Sequence, residues 1–374
     1  MTKTASRAPD LLHGPVFSNM TRFFLPIMLG SLLQQLYSMV DAVVLGRLVG
    51  KTALAAVGGS DLVIINLVVG FFVGLSSGAC VVVSQHYGAG ERDMVRKSVH
   101  TAILFSVVIG AVMTALGIGM ARPVLVLLDP PADTLADSIV YLQWYFAGMI
   151  PSMVYNMGAA ILRAVGDSKR PLYFLVASCL TNIALDLLFV VCFHMEVAGA
   201  ALATIMSQLL SAVLVMITLI RTKESYRFIP KELRVEPVLL KRIIKIGLPA
   251  GLQSMMYSIS NILIQANING YGTNTIASWA VYGKIDGIFW MTMDAMGISV
   301  TTFAGQNFGA QRYDRVRKSV RVCMGMTALA TATISILLLN FGENLYRLFS
   351  NDEEVIRQGM IILKQLVPPY MTYI

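Results

Sequence analysis

The sequence predicts an all-α polytopic membrane protein: two pseudo-symmetric six-helix bundles, with about ten of the parent's twelve helices present. Three observations carry that reading. Of 374 residues, 56% are hydrophobic and only 13% charged, about half the charged share of an average soluble protein. The mean hydropathy of +0.68 is spread along the whole chain rather than held in one segment. Finally, a fifteen-residue motif occurs twice, at 85–99 and 306–320. A soluble globule, a disordered chain and a collagen-like repeat are all excluded.

Taken in order, residues 1–22 are mixed and polar and form an N-terminal segment expected in the cytoplasm. The first apolar run, 23–45, is too long for a cleavable signal's core and is expected to act as a retained anchor. Runs follow at 55–85, 99–121, 138–162, 171–194 and 197–220, giving an N-lobe of six spans over 23–220. A bilayer core of about 30 Å needs about 20 helical residues, which each run supplies. Helices are required because backbone groups in lipid must be bonded within their own segment, and no short alternating pattern suggests a barrel. Residues 221–245 are basic and polar and read as a cytoplasmic linker. A C-lobe over 246–374 then begins, with runs at 246–268, 276–306, 319–341 and 357 to the end.

With the N-terminus inside, the loops after even-numbered spans also face the cytoplasm. These segments hold 22 of the 29 Lys and Arg, eight of them between Arg221 and Lys245. The net charge of +8 is thereby explained by the positive-inside rule, and no nucleic-acid partner is needed.

The repeated motif reads QHYGAGERDMVRKSV and then QNFGAQRYDRVRKSV, identical at nine of fifteen positions. Leu25-Pro26, opening the first span, recurs as Leu248-Pro249, opening the seventh. Six spans per repeat is an even number, so both halves enter from the same side and are related by an axis along the membrane normal. Ile150-Pro151 in the fourth span corresponds to Val367-Pro368 in the tenth. By that symmetry the chain is expected to be C-terminally truncated from a protein of roughly 440 residues.

Charges at bilayer depth cost about 2.5–3.5 kcal/mol each on insertion scales, so the few present must repay it. They are Asp41, Asp186, Asp286, Asp294, Lys284 and Lys364. In the first span Ser31, Gln34, Ser38 and Asp41 form one polar stripe at helical spacing. In the fifth, Ser178, Asn182 and Asp186 recur every four residues, placing an amide and a carboxylate one turn apart on one face. Two carboxylates converging in a dry cavity can share a proton or bind Na⁺ through their oxygens. The structural alternative is that these groups hold helices together by hydrogen bonds.

The seventh span instead presents Ser254, Ser258, Asn261 and Gln265, with no acid. The eighth carries Asp286 and Asp294 with Trp290 between them, beside Met291 and Met293, which reads either as packing or as a pocket for apolar cations. Lys284 and Lys364 either pair with acids or snorkel. Gly70, Gly74 and Gly78, spaced by four, read as close helix packing. The four Cys and four His show no disulfide, zinc or nucleophile pattern, and no phosphate-binding loop is present. No enzyme activity and no cofactor are therefore expected.

Together, LPIMLGSLLQQLYSMVDAVVLGRLVG at 25–50, the two QxxGA basic loops and LRAVGDSKRP at 162–171 resemble the multidrug and toxin extrusion (MATE) family. That family sits within a larger group that includes lipid and oligosaccharide flippases, and the resemblance spans nearly the whole chain. It implies two six-helix lobes around a central cleft and export of organic cations in exchange for Na⁺ or H⁺. It also implies an N-lobe cation site at Asp41, Asn182, Asp186 and Thr204, with Ala200 offering a backbone carbonyl. Gln34, Tyr37 and Tyr141 match positions lining the same cavity. Members that bind a cation in the C-lobe use a seventh-span acid, which this chain lacks, so that site is not carried over.

The expected function is secondary active antiport, exporting cationic amphipathic solutes by alternating access, with Na⁺ or H⁺ as the coupling ion. Its substrate cavity is expected to include Gln34, Tyr37, Tyr141, Asp286, Trp290 and Asp294. A multi-pass cell-membrane location and a monomeric state go with it. A flippase for an anionic lipid-linked sugar would favour Lys and Arg in the cavity, whereas four of the six intramembrane charges are acidic. A receptor or scaffold without transport would need a sizeable extramembrane domain, and 221–245 is too short to fold alone.

Overall fold

The computed structural model describes residues 11–50, 60–128, 134–350 and 352–373. Each expected apolar run is helical over most of its described residues. Helix α1 spans Val16–Val44 and runs into a π turn, Leu45–Val49. Helices α2 (Ser60–Gly88) and α3 (Arg92–Leu128) follow. The fourth span is a pair, α4 (Leu135–Ala147) and α5 (Met149–Ala164), bent by 48° at Gly148. Helix α6 (Lys169–Asp186) ends in a second π turn, Leu187–Cys192, and α7 (Glu196–Arg221) completes the N-lobe. The C-lobe comprises α8 (Pro237–Ile268), α9 (Thr273–Gly309), α10 (Tyr313–Phe349) and α11 (Glu353–Leu366), with a 3-10 segment at Pro368–Tyr373. There is no strand among the described residues.

Six of these helices are long and apolar enough to cross a membrane, and the bent α4–α5 pair makes a seventh. Helix α8 falls outside that set because of its Ser, Asn and Gln stripe and basic start, and α9 because it carries Lys284, Asp286 and Asp294. The tenth run differs from expectation. Its helix has 14 residues, about 21 Å at the α-helical rise. Pro368 and Pro369 then stop it, because proline removes the backbone donor and clashes with the preceding turn. The repeat-related pairs Ile150-Pro151 and Val367-Pro368 thus both lie at breaks.

Two boundaries also move. The linker is shorter than 221–245, since α8 already begins at Pro237. The first helix begins at Val16 rather than 23, and its early residues lie on the opposite lobe: Leu11, Val16, Met20 and Phe23 pack with Met296, Phe303 and Cys323. Arg312 donates to the Leu12 carbonyl at 2.7 Å, and Arg315 donates to Leu11 O at 3.2 Å and Gly14 O at 3.1 Å. The second basic motif therefore clasps residues 11–14 as well as carrying its cluster of positive charge.

Between the lobes, α2 lies against α8 and α9. A Cβ on Gly74 would sit 2.5 Å from Gly251 N, and one on Gly251 would sit 2.7 Å from Phe71 O. Gly78 and Gly247 approach in the same way. At the basic end the two motifs interlock reciprocally: a Cβ on Gly88 would overlap the Gln306 carbonyl, and one on Gly309 the Gln85 carbonyl. Gln306, fully buried there, donates to Ala164 O at 2.7 Å. Only glycine lets two backbones come this close. The basic end is consequently shut.

Candidate functional site

Asp41 sits in the last turn of α1 and Asp186 is the final residue of α6, so each acid adjoins a π turn. The two turns touch, which brings together carboxyls 145 positions apart in sequence. Asp186 is 0% exposed, Asn182 1% and Asp41 8%. The Asp41 and Asp186 carboxyls are direct neighbours, and Tyr37 faces both. Tyr37 OH lies 3.2 Å from Thr204 Oγ1. Buried Ala200 packs with Val44, Leu45 and Val190 beneath both π turns. The structure thus brings Asp41 and Asp186 together with Tyr37 and Thr204, keeps Asn182 one turn from Asp186, and places Ala200 under the turns that follow the two acids.

Their hydrogen bonding is the unusual feature. Apart from the contact of the Asp41 and Asp186 carboxyls with each other, Asp41 Oδ1, both Asp186 carboxyl oxygens and both Asn182 amide atoms are buried without a hydrogen-bond partner among the described residues. Buried polar atoms are nearly always paired, because leaving one unsatisfied costs about 1–3 kcal/mol, and more if charged. Four oxygens in one place suit a hard cation or a shared proton, and the Asn182 amide nitrogen can only donate to one of them. The neighbouring polar groups are already engaged: Ser178 donates to Ser207 O, and Ser207 to Thr204 O, each at 2.8 Å.

Next to the acids lies a cavity of about 220 Å³. Gln34, Tyr37, Asn182, Tyr145, Ser207 and Gln208 are among its lining residues, and no Lys or Arg is. Gln34 and Tyr37 were legible in the sequence. Tyr145 and Gln208 were not singled out, although Tyr145 stands one turn after Tyr141, and Thr204, Ser207, Gln208 and Ser211 form a polar stripe at i, i+3, i+4 and i+7 that could have found Gln208. Tyr141, expected in the cavity, is instead buried in the α4 packing core, 6.4 Å from Tyr145 between ring centroids.

The C-lobe acids stand differently. Asp286 accepts from Tyr370 OH at 2.5 Å and Tyr282 OH at 3.3 Å on one oxygen, and from Trp290 Nε1 at 3.0 Å on the other. Rings surround it: Phe289 stacks on Tyr370 at 4.0 Å, and Trp290 meets Tyr257 and Tyr373 edge-on at 5.0 and 5.1 Å. Tyr282 and Trp290 stand four residues either side of Asp286, one helical turn each. Tyr370, on the last 3-10 segment, had no sequence signal. Asp294 is exposed, with no hydrogen bond among the described residues. Lys284 and Lys364 are exposed and make no ion pair among the described residues.

Comparison with known proteins comes to the same architecture. The family model described as MatE matches residues 26–188 and 249–374. A probable multidrug resistance protein of Bacillus subtilis (strain 168), YpnP, is 30% identical over 96% of this chain and 80% of its own. Another from that organism, YoeA, is 28% identical over 91% and 75%. Among solved structures, an outward-facing multidrug resistance MATE family transporter of the MOP superfamily superposes with a TM-score of 0.90 at 20% identity, covering 99% of this chain and 82% of that one.

Proposed function

The chain belongs to the MatE family, and on that premise we propose that it exports cationic amphipathic solutes by antiport against Na⁺ or H⁺. It is a multi-pass membrane transporter and not an enzyme, and its relatives are multidrug resistance and export proteins. The observation that carries the coupling is the group of unpartnered buried atoms at Asp41, Asn182 and Asp186. One coupling ion, a proton between the acids or Na⁺ among their oxygens with Thr204 and the Ala200 carbonyl, satisfies that group when bound. No cofactor beyond that ion is required.

The ion biases the lobes because it binds one conformation more tightly than the other. The N-lobe cavity, with Gln34, Tyr37 and Tyr145 and no positive charge, suits a cation that competes with the ion for the same carboxyls. In this reading Trp290 and Asp294 supply the C-lobe side of the substrate path, and Asp286, its oxygens filled by Tyr282, Trp290 and Tyr370, holds that side in place. An anionic lipid-linked sugar finds no basic partner in the cavity lining. The basic end, where the lobes are shut, is assigned to the cytoplasm along with the N-terminus. The unit of transport in this reading is a monomer, because both lobes come from one chain.

The test uses the full-length protein in proteoliposomes, following efflux of a fluorescent organic cation with Na⁺ and pH gradients imposed separately. Asp41→Asn is expected to abolish gradient-driven efflux. Unchanged efflux removes Asp41 from the mechanism, and efflux driven by neither gradient in the unmodified protein ends the antiport reading.

A further inference from the structure

The transport reading leaves a built cavity at the basic end unused. At the basic end, the first turns of α3 and the inter-lobe linker enclose about 450 Å³, lined by Arg96, Lys97, His100, Lys231, Arg234 and their acidic neighbours Glu232 and Glu236. Four permanent cations thus face two carboxylates. The compensation is partial as well as outnumbered: Arg96 is shared between Asp93 at 3.2 Å and Glu232 at 3.5 Å. Lys97, Lys231 and Arg234 have no ion pair or hydrogen bond from their side chains among the described residues and are exposed to the cavity mouth.

The walls are fixed. His100 is 2% exposed and pins the linker, accepting from Ile229 N at 3.0 Å through Nε2. Its Nδ1 then carries the proton and donates to Arg96 O at 2.7 Å. The ring stacks on Phe228 at 5.0 Å. Thr101 Oγ1 accepts from Glu236 N at 3.0 Å. Pro230 and Pro237 restrict the linker at both ends of this stretch. A solvated charge run would have none of these ties.

Beside the cations stand apolar side chains that nothing covers. Leu233 is 42% exposed and Val235 40%, either side of Arg234 in the linker, and Val238 is 71% exposed in the first turn of α8. Basic groups that bracket exposed aliphatic ones suit an interface where headgroups give way to acyl chains. We infer that this cavity binds the phosphate of an anionic lipid headgroup, with Leu233, Val235 and Val238 seated at the acyl boundary. Arg96, Lys97, Lys231 and Arg234 hold the phosphate. Because the linker joins the two lobes, a bound headgroup ties their junction to the membrane surface. The inference does not depend on what the protein transports.

The experiment titrates the detergent-solubilised full-length protein with phosphatidylglycerol, phosphatidylcholine or inorganic phosphate, reading bound ligand by native mass spectrometry. The variants are Lys97→Ala/Lys231→Ala/Arg234→Ala, the aliphatic pair Leu233→Ser/Val235→Ser, and a control of equal charge change at the same end, Lys223→Ala/Lys241→Ala/Lys245→Ala. All eight positions are exposed, and matched unfolding temperatures verify that each variant is folded.

The unmodified protein is expected to prefer phosphatidylglycerol to phosphatidylcholine. The cavity triple variant should weaken that binding about a hundredfold, the aliphatic pair should weaken it severalfold, and the control should leave it intact. Equal loss in the control and the cavity triple overturns the site in favour of diffuse attraction. Inorganic phosphate binding as tightly as the lipid, untouched by the aliphatic pair, overturns the lipid assignment. No preference in the unmodified protein overturns both.

Discussion

The two lobes bury acid in opposite ways. Asp286 in the C-lobe takes hydrogen bonds from two tyrosines and a tryptophan and is caged by rings. Asp41 and Asp186 in the N-lobe stand together with unpartnered oxygens, beside an Asn182 amide that is equally unpartnered. A carboxyl whose acceptor sites are filled by its own protein belongs to the scaffold. One whose oxygens its own protein leaves without donors, at a cost no packing requires, suits a guest that arrives and leaves.

That contrast can be broken most sharply at Asp186. Asp186→Asn removes the charge while keeping the shape, so gradient-driven efflux should fall by more than a hundredfold, while thermal unfolding of the purified protein shows equal or greater stability because an uncompensated charge has gone. A stability loss above about 2 kcal/mol would make Asp186 scaffold instead. Asp286→Ala should do the reverse to the fold, costing about 2–4 kcal/mol in the same measurement by stranding three donors. Tyr370→Phe should recover part of that pattern, at about 1–2 kcal/mol.

The inter-lobe glycines are where the halves should behave alike. Gly88→Ala and Gly309→Ala each push a methyl group into the other motif's backbone, so each should cost about 1–3 kcal/mol and open the shut end. Thiol labelling of a cysteine placed at Ser84, which lies behind Gly305 in that interface, should accelerate equally in both variants. An effect confined to one variant denies the symmetry. The smallest change is expected from Asp294→Asn, within about 0.5 kcal/mol of the parent stability because the side chain is exposed and unbonded.

Most of the architecture was legible because bilayer thickness converts apolar run length directly into helices, and because the duplicated QxxGA motif fixed the pairing of the halves. The Asp41 stripe and the Asn182-Asp186 spacing were legible too, since a charge on a greasy helix stands out by its cost alone. The rest depended on contacts between distant residues. The π turns after Asp41 and Asp186 follow apolar segments with no break in composition. Phe23 seats on Phe303 across the lobes, which periodicity within either helix cannot reveal. Asp286 and Asp294 look equivalent in sequence, and only Tyr370, 84 residues beyond Asp286, separates a filled acid from a bare one.

The central claim is that the Asp41, Asn182 and Asp186 cluster holds one exchangeable ion. Titration calorimetry tests it directly. The full-length protein would be titrated with an organic cation, with and without Na⁺, in two buffers of different ionisation enthalpy. Binding should displace about one proton or one Na⁺ from the unmodified protein and from Asp294→Asn, and none from Asp41→Asn/Asp186→Asn. An unchanged displacement in the double variant would place the coupling ion elsewhere.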